Sequence, residues 1–265
     1  MQMSVALFVR TVLKYYHTHG RAMPWRDTTD SYRIYVSEVM LQQTQVSRVL
    51  QKYPVFIQEY PNFAAIAAAS LPDMLRMWQG MGYNRRAKFL HQASYIIVNT
   101  YAGTLPSNTE ELLKLPGIGV ATAGSLACFA FNARTAFIET NIRRVILYHF
   151  FPRSSDVSDV QVMTVVEACL NEIDRLKISA YRTWYYALMD YGTHLSQAVP
   201  NPNVRSKHYN KQKKFEGSDR QIRGALLRRY LAGGVVRLEN EREKRLWAVL
   251  QSEGLVPAHH PLHTS

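Results

Sequence analysis

The chain has 265 residues and a mass of 30.5 kDa, which suits one large domain or one domain with a small appendage. Apolar residues make up 47% of it and charged residues 20%, so global disorder is excluded, and no apolar run approaches the roughly 20 residues of a membrane helix. Lys and Arg outnumber Asp and Glu by 32 to 20, and the net charge of +12 favours a nucleic-acid partner over a surface that is basic only for solubility.

Taken in chain order, apolar residues recur at spacings of three and four, which is the pattern of helices. The prolines at 24, 54, 61, 72, 106, 116 and 152 predict helix boundaries, and no alternating pattern predicts paired strands. We therefore predict an all-α fold with helices over residues 5–15, 32–41, 71–78, 86–98, 121–131, 141–150, 160–170 and 182–194.

The composition changes after His194. Residues 198–214 have no apolar period and carry prolines, asparagines and a cluster of cations, so residues 196–216 are predicted to be a basic strap or linker. Beyond it, helices over 219–231 and 241–250, broken at Gly233 and Gly234, predict a small C-terminal extension of winged-helix type over 217–265, frayed from Pro257. The main domain is then residues 1–195.

The strongest local motif is the run of Leu115, Pro116, Gly117, Ile118 and Gly119 between two predicted helices. Two glycines after a proline allow a tight turn whose free N–H groups point out at the start of the next helix. Such a turn suits a phosphate group and indicates DNA binding. The alternative is an ordinary helix–turn–helix connection.

Two carboxylates stand out on predicted helices. Glu38 has no Lys or Arg three or four residues away and is flanked by apolar residues, which raises the pKa of a carboxyl group and suits a general acid. Glu139 precedes Asn141 at the start of a helix. The alternatives are a solvated Glu38, and a Glu139 that only favours the helix N-terminus and pairs with Arg143.

These stretches carry a family resemblance. Residues 24–26 (Pro-Trp-Arg), 37–46 (Ser-Glu-Val-Met-Leu-Gln-Gln-Thr-Gln-Val), 78–83 (Trp-Gln-Gly-Met-Gly-Tyr), 115–119 and 141–145 (Asn-Ile-Arg-Arg-Val) follow one another in the family's order and spacing. Over about residues 20 to 195 the chain resembles the helix–hairpin–helix DNA glycosylases, and most closely the MutY-type adenine glycosylases. The tail after about residue 215 lies outside the match.

The resemblance implies an all-α fold of two subdomains with DNA bound across the cleft between them, and a target nucleotide turned out of the stack. It implies three catalytic residues. Glu38 would protonate N7 of adenine, Glu139 would stand where the family has an aspartate that stabilises the oxocarbenium-like sugar, and Asn141 would order that site.

The resemblance also implies binding residues. The base pocket would be lined by Trp25, Arg26, Tyr35 and Tyr186; Gln42 and Gln43 would enter the DNA stack, with Tyr83 as a wedge beside the partner base. The hairpin at 115–119 would hold a phosphate together with a bound monovalent cation. Ala121 stands where bifunctional relatives have a Schiff-base lysine, which predicts hydrolysis without strand cleavage. The basic strap would contact DNA through Arg205, Lys207, Lys211, Lys213 and Lys214.

The chain departs from the family pattern at several points. Glu139 replaces aspartate, and a misplacement of roughly 1 Å can cost on the order of 100-fold in rate. Tyr186 stands where MutY-type enzymes carry Gln or Glu. Residues 193–214 contain no cysteine, and the chain has only Cys128 and Cys169, so no four-cysteine iron–sulfur cluster is expected. We also expect no C-terminal domain that reads 8-oxoguanine.

The predicted function is therefore a monofunctional DNA glycosylase of base excision repair, which removes adenine opposite guanine or 8-oxoguanine. The alternatives are a glycosylase for thymine, uracil or another damaged base opposite guanine, and a catalytically silent DNA-binding or damage-sensing protein. The expected partner is double-stranded DNA with a mismatched or damaged base. We expect a monomer without a resident metal or a membrane association, in the cytoplasm and at the nucleoid if the source is bacterial.

Overall fold

The computed structural model of the chain describes residues 3–178, 180–211, 214–233 and 236–258. Within these residues a single parallel bridge, between Val157 and Ser206, is the only extended pairing, so the all-α prediction is confirmed. The helices are α1 (Val5–His19), α2 (Ser31–Leu41), α3 (Val46–Glu59), α4 (Phe63–Ala68), α5 (Leu71–Met77), α6 (Arg85–Thr100), α7 (Thr109–Leu113), α8 (Val120–Phe131), α9 (Thr140–Phe150), α10 (Asp159–Arg175), α11 (Tyr181–Ala198), a 3-10 helix (Pro202–Arg205), α12 (Asp219–Leu231) and α13 (Glu241–Ser252).

Side-chain caps fix several of the helix starts. Ser4 accepts a hydrogen bond from the backbone N–H of Leu7 at the start of α1, and Asn240 does the same for Glu243 at the start of α13. Ser158 forms a capping box with Gln161 at the start of α10. Each cap satisfies a backbone N–H that the helix itself leaves without a partner.

Three α-helices and the 3-10 helix were not predicted, and one proline accounts for the largest omission. Pro54 lies inside α3, so its assignment to a helix boundary is wrong. A proline inside a helix removes one backbone hydrogen bond, but Val49, Tyr53 and Phe56 of α3 are buried, and their burial outweighs that loss. The other two, α4 and α7, are only six and five residues long, too short for a clear period.

The chain divides into two compact units. Unit 1 comprises residues 1–34, 107–114 and 118–211, and α11 lies at its centre. In unit 1, α11 packs on α9, α1 and α8, and its buried face includes Trp184, Tyr185 and Leu188. Phe8 of α1 meets the Trp184 ring edge-on, with 6.0 Å between ring centroids.

Unit 2 comprises residues 35–106, 115–117 and 212–265. Its core contains α6 with α4 and α5 packed on it, and α12 packs on both α13 and α5. Trp78 and Trp247 are fully buried in unit 2. The two C-terminal helices are confirmed, but the described residues between them form no strand that would correspond to a wing.

The predicted strap is partly built into unit 1. The backbone N–H of Val157 donates to the carbonyl of Arg205 at 2.9 Å, and that of Lys207 donates to the carbonyl of Val157 at 3.0 Å. The predicted division into residues 1–195, 196–216 and 217–265 stays a prediction. Among the described helices, none has both the length and the apolar character that crossing a membrane would require.

Candidate active site

Glu139 is the N-cap residue of α9 in unit 1. Its Oε1 accepts the backbone N–H groups of Asn141 at 2.7 Å and Ile142 at 2.8 Å, and its Oε2 lies 3.4 Å from the Asn141 amide nitrogen. Glutamate caps helices less often than aspartate, serine or asparagine, because its side chain is longer. The cap holds the carboxylate at the positive end of the α9 dipole.

Opposing effects act on the pKa of the Glu139 carboxyl group, and burial is the largest of them. Burial raises the pKa of its carboxyl group above the ordinary value of 4.5, whereas the two backbone N–H groups and the guanidinium groups of Arg144 and Arg143 act to lower it. The Arg143 guanidinium does not pair with the Glu139 carboxylate, although the Arg143 backbone N–H donates to the carbonyl of Glu139 at 2.9 Å; the guanidinium donates to the carboxylate of Asp159 at 2.9 to 3.1 Å. The predicted Glu139–Arg143 pair is therefore wrong, and the predicted preference for the helix start is confirmed.

Asn141 is held by α9 and α11 together. Its Oδ1 accepts a hydrogen bond from Arg144 Nη1, which also donates to the carbonyl of Gly192 at 3.0 Å. The backbones of the two helices come so close that a Cβ atom on Gly192 would lie 2.6 Å from Cβ of Asn141. Asn141 is therefore fixed on one side by a guanidinium and on the other by a bare backbone.

A second polar cluster of unit 1 surrounds Asp190 of α11. Arg26 forms two hydrogen bonds with its carboxylate, both at 2.9 Å, and Arg21 reaches it through its backbone N–H and its Nε at 2.8 Å each. Burial alone would raise the pKa of the Asp190 carboxyl group, but the hydrogen bonds and charges of Arg26 and Arg21 outweigh it, and the pKa lies below its ordinary value.

Tyr186 lies between this cluster and the core of unit 1. Its ring stacks on Phe129 with 4.7 Å between centroids, and the Arg26 guanidinium carbon lies 4.5 Å from its centroid. All four residues predicted for the base pocket are buried: Tyr186 is 6% exposed, Trp25 3%, Tyr35 0%, and the Arg26 side chain 5%. An open cleft of about 540 Å³ beside Arg26 is lined by Tyr16, Arg21 and Thr183.

Unit 2 carries Glu38 on α2. Glu38 is half-buried, between the buried residues Ser37 and Val39. Gln42 follows the end of α2, and its Nε2 lies 3.5 Å from the carbonyl oxygen of Gly117. Gln43 is exposed and has a φ of 54°, in the left-handed region that non-glycine residues seldom adopt.

Arg86 of α6 joins the two loops of unit 2 that were predicted to enter DNA. Its Nη1 donates to the carbonyl groups of Val39 and Met40 at the end of α2, at 2.9 and 2.8 Å. Its Nη2 donates to Thr44, Met81 and Gly82 at 2.8 to 3.1 Å. These partners are uncharged oxygens, and burial lowers the pKa of this guanidinium to about 10.

Tyr83 completes the second of these loops. It has a φ of 48° and its side chain is 37% exposed. The Arg86 guanidinium carbon lies 5.7 Å from the centroid of its ring. An exposed aromatic side chain on a strained backbone is a feature that functional sites favour.

The glycine hairpin lies ahead of α8. Gly117 has a φ of +80°, and a Cβ atom there would lie 2.9 Å from Cβ of Phe89, so both the conformation and the space require glycine. Gly119 is the N-cap residue of α8 and is open on its side-chain face. Leu115 and Ile118 are buried, Pro116 is half-buried, and Ala121 is exposed in the first turn of α8.

The family model described as "HhH-GPD superfamily base excision DNA repair protein" matches residues 36–172, just over half of the chain. The chain belongs to this family. The resemblance noted in the sequence is thereby confirmed, and the helix–hairpin–helix fold with it.

Relatives of this HhH-GPD protein include adenine DNA glycosylases. The chain is 33% identical over 232 residues to the adenine DNA glycosylase of Mycolicibacterium smegmatis, and this alignment covers 82% of this chain and 78% of the relative. It is 42% identical over 136 residues to that of Mycobacterium tuberculosis, covering 51% of this chain and 45% of the relative. It spans 42% of the adenine DNA glycosylase of Buchnera aphidicola subsp. Baizongia pistaciae, at 36% identity over 149 residues and 56% of this chain.

Solved structures agree on the fold. A structure titled as a thermostable thymine-DNA glycosylase has a TM-score of 0.62 and 27% identity, covering 71% of this chain and 85% of that one. A trapped endonuclease III–DNA covalent intermediate has a TM-score of 0.59 and 17% identity, covering 77% and 97% of the two chains. At that identity the second comparison shows the fold alone.

The basic residues predicted to contact DNA fall into two kinds in this HhH-GPD protein. Arg205 is half-buried and its Nη1 donates to the carbonyl of Leu147 at 3.2 Å, so it fastens the strap to α9. Lys207, Lys211 and Lys214 are exposed, and Lys213 lies outside the described residues.

Sequence analysis missed the residues whose hydrogen bonds hold the candidate site residues in place. Sequence analysis did not single out Asp190, and Arg86 entered only as the first residue of a predicted helix. A buried Asp at the centre of an aromatic helix is a signal for a paired charge, but nothing local identifies Arg21 and Arg26 as its partners. In the described part of the chain no three His, Cys, Asp or Glu residues group as metal ligands do, and a cation at the hairpin stays a prediction.

Proposed function

We propose that the chain is a DNA glycosylase that removes adenine from duplex DNA opposite guanine or 8-oxoguanine. The observation that carries the proposal is the carboxylate of Glu139, fixed by two backbone N–H groups and by Asn141 at the start of α9. The names of the relatives supply the base, since adenine DNA glycosylases match the chain at 33 to 42% identity in the comparisons above.

The proposed reaction is hydrolysis of the N-glycosidic bond of a nucleotide turned out of the helix. Glu38 gives a proton to N7 of adenine, so that the C1′–N9 bond breaks and the base leaves with the bonding electrons. Ionised Glu139 stabilises the positive charge that develops on the sugar. Water adds its oxygen to C1′ and gives up a proton, which leaves an abasic site.

Strand cleavage is not part of the proposal. A glycosylase that also cuts the strand uses an amine to form a Schiff base with the sugar. Ala121 offers no amine at the position where the resemblance places one. We therefore expect that borohydride traps no covalent complex between the chain and its substrate, and that product strands break only after hot alkali.

A second candidate is the removal of thymine or uracil opposite guanine. The solved structure titled as a thymine-DNA glycosylase, at 27% identity, favours it. Tyr186 also favours it, because its place in the aromatic stack with Phe129 leaves no amide or carboxylate there to bind adenine. The same fold would serve both reactions, and the difference would lie in which base is bound.

The test is a single-turnover excision panel. Labelled duplexes carry adenine opposite 8-oxoguanine, guanine or cytosine, and thymine, uracil or hypoxanthine opposite guanine, each read with and without alkali. Loss of adenine only after alkali supports the proposal. Loss of a pyrimidine instead establishes the second candidate. Tight binding without excision of any base overturns both and leaves a DNA-binding protein.

The remaining expectations belong to the same proposal. We propose that the chain acts as a monomer on duplex DNA and without an iron–sulfur cluster. Size-exclusion chromatography with light scattering, with and without a duplex, tests the first. The iron content of the purified protein, with an absorption spectrum, tests the second.

A further inference from the structure

Arg85 is an exposed arginine at the start of α6 in unit 2. Its guanidinium carbon lies 5.2 Å from the centroid of the Phe89 ring, about one turn further along the same helix. A stacked guanidinium turns its flat face to the ring, and its N–H donors stay accessible at the edge of its plane. Among the described residues, no carboxylate pairs with Arg85 and no acceptor binds its side-chain N–H groups. This guanidinium is therefore held in position without being neutralised.

Phe89 also packs against the glycine hairpin. A Cβ atom on Gly117 would lie 2.9 Å from Cβ of Phe89 and 3.0 Å from its Cδ2, so this side chain lies directly on the bare backbone of the glycine. Residues 115–117 of the hairpin belong to unit 2 together with α6. One half-buried aromatic side chain therefore contacts both the hairpin backbone and the Arg85 guanidinium, which places that guanidinium beside the hairpin.

The stability of α6 does not account for a cation at this position. The start of a helix is the positive end of its dipole, where a negative side chain is favoured, but the first turn of α6 contains no acidic residue. Lys88 adds a second cation three positions after Arg85, and its Nζ donates to the carbonyl of Glu253 at 2.5 Å, which is an uncharged oxygen. An exposed cation kept against the dipole indicates a negatively charged ligand.

We propose that Arg85 binds a phosphate of the substrate DNA next to the phosphate expected at the hairpin, and that Phe89 orients the guanidinium for this contact. Arginine binds a phosphate through paired N–H groups, and these lie at the edge that stacking leaves accessible. Because phosphates carry no sequence information, the contact fixes the register of the duplex and does not select the base. The inference rests on the proposed function, because the expected occupant is the duplex that carries the excised base.

The test measures binding without chemistry. The duplex carries a tetrahydrofuran abasic analogue opposite guanine, and in a series of such duplexes one phosphate at a time is replaced by an uncharged methylphosphonate. Dissociation constants are measured from about 50 to 200 mM salt for the full chain and for Arg85→Ala, Arg85→Lys, Phe89→Leu and the double variant Arg85→Ala with Phe89→Leu. Arg228→Ala is the matched control, because it removes the same charge from an exposed position of α12 in unit 2.

We expect Arg85→Ala to raise Kd about tenfold and to reduce the slope of log Kd against log salt by about 1, as the loss of one phosphate contact does. Arg85→Lys keeps the charge and most of the slope but loses the paired N–H groups, so Kd rises about threefold. Phe89→Leu also raises Kd about threefold, and it adds little to Arg85→Ala because the ring acts through the guanidinium. Arg228→Ala changes Kd by less than about twofold.

The methylphosphonate series locates the contact on the DNA. At one position the full chain loses about tenfold in affinity while Arg85→Ala loses much less, because the two changes remove the same interaction. At every other phosphate that the protein contacts, the two proteins lose affinity equally. Such a position identifies the phosphate that Arg85 binds.

Two results would overturn the inference. One is an Arg85→Ala variant with the Kd and slope of Arg228→Ala, and the other is a methylphosphonate series in which the two proteins lose affinity equally at every position. If Arg85→Ala fails to fold, Arg85→Gln takes its place in both measurements. Because no bond is broken in this assay, a failure of the proposed function appears only in the excision panel, and the two results stay distinguishable.

Discussion

Glu139 and Asn141 are joined twice, since one carboxylate oxygen of Glu139 accepts the Asn141 backbone N–H at 2.7 Å and the other lies 3.4 Å from its side-chain amide. The same contacts cap α9 and orient the carboxylate. A helix cap of this kind is a structural feature in any protein. Here it also holds in place a carboxyl group whose pKa is raised by burial.

The first prediction concerns Glu139→Asp. Aspartate is a preferred cap residue and can bind the same backbone N–H groups of α9, so we expect the thermal midpoint to be unchanged and the single-turnover rate to stay within about tenfold. Glu139→Gln keeps the length and removes the charge, and it should lower the rate by about a thousandfold. A loss on the order of 100-fold in the aspartate variant would show that the site is built around the longer side chain.

The second prediction concerns Glu38→Gln. Removing a general acid costs about a thousandfold in rate, while the uncharged amide leaves binding of the duplex intact. Single-turnover kinetics and a binding titration on the same DNA separate the two effects. Glu59→Gln is the control, because Glu59 is an exposed residue at the end of α3. Equal rates for the two variants would remove Glu38 from the mechanism.

The third prediction concerns pH. In the proposed reaction Glu139 acts in its ionised form, and its pKa lies above 4.5, so we expect activity to fall as the pH falls through that raised value. Arg144 lowers this pKa, so Arg144→Gln should move the acidic limb of the pH–rate profile to higher pH. Arg175→Gln removes an exposed charge that pairs with Glu172 and should leave the limb in place. A limb that stays in place in Arg144→Gln would contradict the assignment.

The fourth prediction concerns Arg86. Replacing it by Met leaves the carbonyl groups at the end of α2 and in the Met81–Gly82 loop without their donor, so we expect a loss of about 3 kcal/mol in the free energy of unfolding. Arg85→Met, on the exposed side of the same turn, should cost less than about 1 kcal/mol. Urea unfolding compares them. Similar losses for the two would show that the bonds of Arg86 contribute little.

The sequence was informative where one helix or one turn decides the structure. The helix over 219–231 has the predicted bounds, and Gly117 has the positive φ that its turn requires. Glu139 at the start of α9 was also visible, because a cap depends on residues two and three positions away. These features need no knowledge of distant parts of the chain.

The contacts that brace the site join residues far apart in the chain. Arg26 meets Asp190 across 164 positions and Arg86 meets Val39 across 47. Arg143 had a plausible partner in Glu139, but it binds Asp159, because α10 brings that carboxylate to it. Local spacing lists only neighbours along the helix, so such pairs cannot be chosen before the packing of the helices is known.

The close approach of Gly192 to Asn141 has a consequence for redesign. Exchanging α11 for the matching helix of a relative would test the proposed part of Tyr186 in choosing the base, because that helix carries Tyr186. The exchange would succeed only if the donor helix has a glycine at the position of Gly192, since any larger residue would push α9 and its cap away. A change of α11 aimed at the proposed part of Tyr186 in choosing the base would therefore also disturb the Glu139 cap of α9, so the two cannot be altered as separate modules.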